Sequence, residues 1–194
     1  MEKIEEKFLL NKNTTSDINE HLDVLHEYSL KCNHITEMGI RWGSSTWAFL
    51  MSNPKKLIGY DITKTEEISE IINICSEYNM NFTFFKEDVL KITIEETDLL
   101  FIDTLHTYNQ LINELNLHSS KVKNYIILHD TVSFGHHDEI IYGHASDLIK
   151  EQKVNKQGLV NAIQDFLNSE LGKSWKIEKE FKNNNGLTIL KKWN

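Results

Sequence analysis

Short apolar runs alternate along this chain with amphipathic stretches, and that alternation constrains the fold more than any other feature. The strand-like runs fall at 35–38, 56–60, 82–85, 98–102 and 125–128. Helix-like stretches at 44–52, 65–78 and 108–122 separate them, with a short connection around 90–94. A strand that is apolar along nearly its whole length has to be covered on both faces. Helices between successive strands supply that cover, so the pattern predicts an α/β domain with a mostly parallel sheet. A further helix is expected over 17–31, with Ile18, Leu22, Leu25 and Tyr28 on one side, so residues 1–32 read as a helical extension ahead of the sheet. Past 131 the pattern lapses. The stretch 131–150 carries His136, His137, Asp138, Glu139 and His144 without sustained periodicity, and a loop of that length in a compact domain tends to serve substrate or metal. An amphipathic helix then follows at 159–171. The apolar-alternating runs 175–181 and 187–190 flank an Asn185-Gly186 turn, which is a hairpin signal. One proline and eight glycines leave little room for linkers, so 1–194 reads as a single domain.

Charge narrows the range of partners. The 21 basic residues are outnumbered by 29 acidic ones, the formal net charge is −8, and no stretch concentrates positive charge. A duplex binder needs a basic face to neutralise phosphates, so nucleic acid is not an expected partner. Arg41 is the one arginine. Cys32 and Cys75 have no partner at metal-ligand or disulfide spacing and are expected as buried thiols, which suits a reducing compartment. No window reaches the roughly 18 to 20 apolar residues of a membrane span, and the first seven residues hold no apolar run. The expectation is a soluble, cytoplasmic domain acting on a small molecule.

The polar residues with chemistry to offer sit where the strands end. After the first run comes Glu37-Met38-Gly39-Ile40-Arg41-Trp42-Gly43-Ser44-Ser45. Gly39 and Gly43 allow a tight turn and close approach of a ligand, and Ser44 or Ser45 can cap the helix that follows. The spacing differs from the G-x-G-x-x-G pattern that cradles a pyrophosphate, which disfavours a nicotinamide dehydrogenase. The second run ends in Asp61, placed to accept from ribose hydroxyls, and the third in Glu87-Asp88, where an acid can accept from an adenine amine. Three acids at successive strand ends read together as an adenosyl-binding edge. The fourth run ends in Asp103, and His106 follows just before a Thr107-x-x-Gln110 capping box. The positive end of that helix disfavours imidazolium, so His106 is expected to be neutral and able to act as a base. The fifth run ends in His129-Asp130. Asp103, His129 and Asp130 at neighbouring strand ends could hold a divalent cation or form a hydrogen-bonded polar cluster without one.

The order Glu37, Gly39, Gly43-Ser44, Asp61, Asp88, Asp103-x-x-His106, His129-Asp130 resembles the class I S-adenosylmethionine-dependent methyltransferases. Within them it is closest to the group of macrocin O-methyltransferase and the cephalosporin hydroxylase-like proteins. The stretch from Leu99 to Tyr108 is the most specific part of the likeness, which runs from about residue 17 to the final hairpin. The resemblance implies a Rossmann-like sheet of seven strands, mostly parallel, finishing in an antiparallel hairpin, with helices on both faces. It implies that Glu37, Gly39, Gly43 and Ser44, with Arg41 in the same loop, shape the pocket for the methionine and ribose of the cofactor. Asp61 would hold the ribose and Asp88 would face the adenine, with Asp103 beside them. Asp103 and Asp130 would be ligands of a magnesium-like ion (Mg or Mn), with His129 in the same group. His106 would take the proton of the acceptor hydroxyl. The group usually has Glu-Asp where this chain has His129-Asp130, and imidazole is a poor magnesium ligand. A softer metal, a water in place of that ligand, or a metal-free site are the readings this leaves.

Methyl transfer from a sulfonium to oxygen is an in-line displacement, and a cation chelating substrate oxygens would suit a sugar or other small polyol as acceptor. Two alternatives stand beside it: a metal-dependent hydrolase or oxygenase on the same scaffold, and a methyltransferase-like binding subunit without catalysis. A homo-oligomer joined through the N-terminal helix or the final hairpin is compatible with the sequence.

Overall fold

The computed structural model describes residues 1–140 and 155–193. Seven strands form one sheet: β1 (His34–Met38), β2 (Lys56–Asp61), β3 (Phe82–Lys86), β4 (Thr97–Ile102), β5 (Val122–His129), β6 (Trp175–Phe181) and β7 (Leu187–Lys192). Their spatial order is β3-β2-β1-β4-β5-β7-β6. The first five run parallel, and β7 lies antiparallel between β5 and β6. This is the expected mostly parallel seven-stranded sheet with its antiparallel hairpin.

Period-two alternation explains why the strand sequences are apolar throughout. Leu99, Phe101, Tyr125 and Ile127 belong to the core on one face, while Leu100, Ile102, Ile126 and Leu128 belong to the core on the other. Helices α1 (Glu2–Asn13), α2 (Leu22–Ser29), α3 (Ser44–Met51) and α4 (Glu66–Glu77) contribute to the first core. Helices α5 (Tyr108–His118) and α6 (Leu159–Asn168) cover the second. Cys32 and Cys75 are buried free thiols in the first core, and burial pushes both up to about 12.

Several elements begin or end differently from the sequence expectation. The single helix expected over 17–31 is a short 3-10 turn, Asn19–His21, followed by α2. α1 precedes it and packs on α3 through Ile4 and Phe8. The helix expected to run to 122 stops at His118, because Val122 already begins β5. Of the 131–150 loop, 131–140 is described and is irregular; the remainder, including Gly143 and His144, lies outside the described residues. Among the described residues no helix is long and apolar enough to cross a membrane.

The sheet order reverses direction between β1 and β4, which stay paired from Ile35–Leu99 to Met38–Ile102 while the helices that follow them, α3 and α5, lie on opposite faces. In open α/β sheets ligands bind at such a switch point, beyond the carboxyl ends of the strands. Gly39 stands at this seam with φ +83°, and a Cβ added to it would lie 1.9 Å from the carbonyl oxygen of Asp103. Its backbone N–H donates to Tyr60 O at 2.9 Å, and Asp103 N–H donates to Met38 O at 2.9 Å.

Candidate functional site

On the β1–β3 side, each acid named from the sequence is held by donors of its own chain. Glu37 is fully buried at the end of β1 and accepts hydrogen bonds from the hydroxyls of Ser45 and, at 2.7 Å, Thr46. Burial pushes its carboxyl up to about 8, although both hydroxyls pull the other way. Asp61 Oδ2 accepts from the backbone N–H groups of Ile40 and Arg41, both at 3.0 Å. Its Oδ1 accepts from Thr63 N–H at 2.8 Å and the Thr63 hydroxyl at 2.9 Å. Four donors on two oxygens use the lone-pair capacity of a carboxylate, so Asp61 ties the glycine loop to the end of β2. Asp88 caps a short 3-10 turn, Val89–Lys91, by accepting from Leu90 N–H at 3.0 Å, and it pairs with Lys91.

The glycine loop differs in its causes from what the sequence suggests. Space for the missing Cβ of Gly39 is filled by Asp103 backbone, and that of Gly43 by the Ile71 side chain, 2.4 Å away. Packing against backbone therefore requires Gly39, whereas at Gly43 the left-handed backbone (φ +79°) favours glycine, in keeping with the expected tight turn. Ser44 and Ser45 do not cap α3. Its N-cap is Gly43, in the left-handed region, while Ser44 donates to Asn11 and Ser45 to Glu37. Arg41 is also left-handed (φ 51°), pairs with Asp17 at 3.1 Å and lies over the exposed Trp42 ring at 3.8 Å.

On the β4–β5 side, four side chains converge. His106 Nε2 lies 3.2 Å from Asp103 Oδ1 and 2.9 Å from Asp130 Oδ2. His129, buried at the end of β5, places Nδ1 3.2 Å from Asp130 Oδ2 and 3.6 Å from Asp103 Oδ1. Three further groups complete the setting, of which Glu139 comes from the 131–150 stretch named from the sequence while Phe134 and His21 were not singled out. Glu139 Oε2 accepts from His106 Nδ1 at 2.5 Å. Phe134 stacks flat on the His106 ring, centroids 4.8 Å apart at 4°. His21 meets the His129 ring edge-on at 5.4 Å. Asp138 joins the loop to two helix starts, accepting from Tyr108 N–H at 2.8 Å and Gly158 N–H at 2.7 Å.

This geometry reverses the expectation that His106 is neutral. Burial would lower it, but the carboxylates of Asp103, Asp130 and Glu139 outweigh that and push it up to about 12. The helix terminus cannot compete with three acids in direct contact. His129, lowered by burial but raised more by Asp103 and Asp130, sits at about 10. The two acids respond in kind: burial raises them, yet the imidazoles hold Asp103 at about 2 and Asp130 well below the usual carboxylate range. Both nitrogens of His106 face carboxylates, so in this arrangement it has no lone pair with which to take a hydroxyl proton. The expected capping box is half formed. Thr107 accepts from Gln110 N–H at 3.2 Å, but the Gln110 side chain turns to Glu114, at 2.7 Å.

Asp103, His129 and Asp130 offer ligand atoms that all lie within 4.8 Å of one another. The donor set fits a divalent cation, because two ionised carboxylates and an imidazole converge with Asp130 Oδ1 buried and, among the described residues, without a hydrogen-bond partner. Asp130 itself adopts φ 59°, a conformation rare for a residue with a side chain.

No protein-family model matches the chain, and no curated protein sequence matches it. Among solved structures it is similar to the S-adenosylhomocysteine-bound methyltransferase PaMTH1 of Podospora anserina, at 11% identity and TM-score 0.63, over 100% of this chain and 89% of that one. It is similar to the N-methyltransferase NodS of Bradyrhizobium japonicum WM9 in complex with S-adenosylhomocysteine, at 12% identity and TM-score 0.58, over 100% and 98%. It is also similar to the 16S rRNA methylase RmtB, at 14% identity and TM-score 0.56, over 92% of this chain but only 64% of that one. At these identities the likeness is one of fold: the chain has the Rossmann-like methyltransferase architecture.

Proposed function

We propose that this chain is an S-adenosylmethionine-dependent O-methyltransferase whose acceptor is a hydroxyl of a small molecule, with sugars and other polyols the favoured class. The observation that carries the reading is one strand edge with two kinds of polar equipment: three acids at the ends of β1, β2 and β3, and the Asp103–His106–His129–Asp130 cluster beside them, in a methyltransferase fold. Cofactor would lie beyond the carboxyl ends of β1 and β4, at the switch point of the sheet. Asp61 would exchange its exposed Thr63 contacts for ribose hydroxyls while its Ile40 and Arg41 bonds keep the loop in place. Asp88 would face the adenine, and Glu37, Gly39, Arg41, Gly43 and Ser44 would shape the remainder.

Fold does not decide the acceptor atom, since the neighbours include an N-methyltransferase. The cluster favours oxygen. A divalent cation held by Asp103 and Asp130 would supply a Lewis acid that chelates a polyol and lowers the pKa of its hydroxyl. Net charge of −8 argues against RNA as the acceptor. Isothermal titration of S-adenosylhomocysteine into the full chain tests the reading. Saturable binding in the micromolar range is expected; no heat of binding at millimolar ligand overturns it.

A further inference from the structure

Four donor atoms at the centre of the cluster close a ring in which nitrogen and oxygen alternate: His106 Nε2, Asp103 Oδ1, His129 Nδ1 and Asp130 Oδ2. Its edges are 3.2, 3.6, 3.2 and 2.9 Å. Adjacent ligands bonded to one ion at about 2.0–2.2 Å stand about 3.0–3.5 Å apart; the Asp103, His129 and Asp130 ligand atoms gather within 4.8 Å of one another, and His106 Nε2 lies near adjacent-ligand distance from both carboxylates, placed to join them as a fourth ligand. We propose that the four residues form a transition-metal centre of two imidazoles and two carboxylates, selective for a Zn2+-class ion over Mg2+, with His106 as a ligand and not the base. The proposal rests on the functional reading only for what the ion would do to an acceptor. Binding of the ion stands apart from it.

The surroundings of the two imidazoles support the assignment independently of the ring. A histidine that ligates metal through one nitrogen nearly always donates its other N–H to a carboxylate, a carbonyl or water, which fixes ring orientation and tautomer. His106 has that partner in Glu139, 2.5 Å from Nδ1, and Phe134 packed on its face restricts the ring further. For His129, Nε2 is buried without a hydrogen-bond partner among the described residues, and so is Glu114 Oε2. Both residues line the same small cavity of about 10 Å3, close to the least volume, about 10–15 Å3, that holds one water. A water there would link the His129 N–H to Glu114, which Thr104 (2.6 Å) and Gln110 (2.7 Å) already anchor. Each imidazole thus has a carboxylate near its second nitrogen: Glu139 in direct contact with His106, and Glu114 lining the same cavity as His129. Magnesium demands oxygen ligands, whereas imidazole suits zinc, iron, cobalt and nickel.

The test uses the full chain stripped with chelator and titrated with Co2+, followed by visible absorption and by pulsed EPR of the Mn2+- or Cu2+-loaded protein. One Co2+ per chain is expected, displaced by Zn2+ and not by a hundredfold excess of Mg2+, with hyperfine coupling to two imidazole nitrogens. His106→Ala should lose one nitrogen coupling and weaken Co2+ binding by a hundredfold or more. Glu139→Gln should weaken it about tenfold with the spectrum retained. Coupling in the wild-type protein needs no variant, so a variant that fails to fold does not shelter the proposal. Competition by Mg2+ on equal terms, undiminished Co2+ binding in folded His106→Ala, or no Co2+ binding at all each overturns it. S-adenosylhomocysteine titrated in parallel separates the two claims: Co2+ binding as described without nucleoside binding sinks the methyltransferase reading and leaves the metal centre standing.

Discussion

The two sides of the strand edge hold their carboxylates by opposite means. Glu37, Asp61 and Asp88 are answered within their own neighbourhood, by hydroxyls and backbone N–H groups of the loops they organise. Asp103, Asp130 and Glu139 are answered by two imidazoles that reach them from separate segments, and among the described residues Asp130 Oδ1 and His129 Nε2 have no hydrogen-bond partner. The first arrangement shapes backbone and is complete by itself; a ligand enters it only by exchange. The second is a concentration of charge whose members balance one another, and a divalent cation would enter it by taking the place of the imidazole protons.

Gly39→Ala strikes the seam between the two sides and should have the largest effect. The added Cβ meets Asp103 O at 1.9 Å on a left-handed backbone. Overpacking of about 1–3 kcal/mol and a left-handed penalty of about 1–2 kcal/mol predict a loss of roughly 3 kcal/mol or more in urea unfolding. A loss below about 1 kcal/mol would mean that the two sides separate freely. Asp61→Ala comes next. It should weaken S-adenosylhomocysteine binding about a hundredfold, because hydrogen bonds to a charged group are worth roughly 1.5–3 kcal/mol each, and leave Co2+ affinity unchanged. If both affinities fall together, the two sides are one coupled unit and the contrast drawn above fails.

Glu37→Gln probes the buried acid of the first side through pH. Burial holds the folded carboxyl at about 8 against an ordinary 4.5, so between those values the folded chain keeps a proton the unfolded chain has released. Stability on this account is present in full below about pH 4.5 and declines as pH rises through 8. The variant should show a shallower decline in urea midpoint from pH 5 to 8 than the parent; equal slopes would mean that Glu37 folds ionised. Lys7→Ala, which removes a surface pair with Glu70 at 2.6 Å and touches neither side, should change stability by less than about 0.5 kcal/mol. A larger change would show that the docking of α1 onto α4 supports the site at a distance.

The sheet was legible because burial on both faces writes itself into a strand as an unbroken apolar run, as in Asp98–Ile102 and Tyr125–Leu128. α1 was harder to delimit. It buries only Ile4 and Phe8, leaves Leu9 and Leu10 exposed, and is otherwise charged or polar, so its apolar stripe is two residues wide. Strand-end acids could be named because their position depends only on where each apolar run stops. Their partners could not. Glu139 reaches His106 across 33 residues of chain from an irregular loop, and His21 meets His129 from the N-terminal layer. The surroundings of His106 were legible only in part for the same reason: the adjacent helix start is visible in sequence, whereas the three acids around the ring assemble only in the fold.

The place of β7 bears on how the molecule is made. It is the last strand in sequence, yet it sits inside the sheet and pairs with β5 and β6 along nearly its whole length. While the polypeptide is still emerging from a ribosome, β5 therefore presents an open edge, and β6 has no neighbour to join. Nascent sheet edges of this kind invite chaperones and aggregation. Completion of this half of the domain must wait until synthesis has passed residue 192, so a chain interrupted shortly before that point exposes the surface that protein quality control recognises.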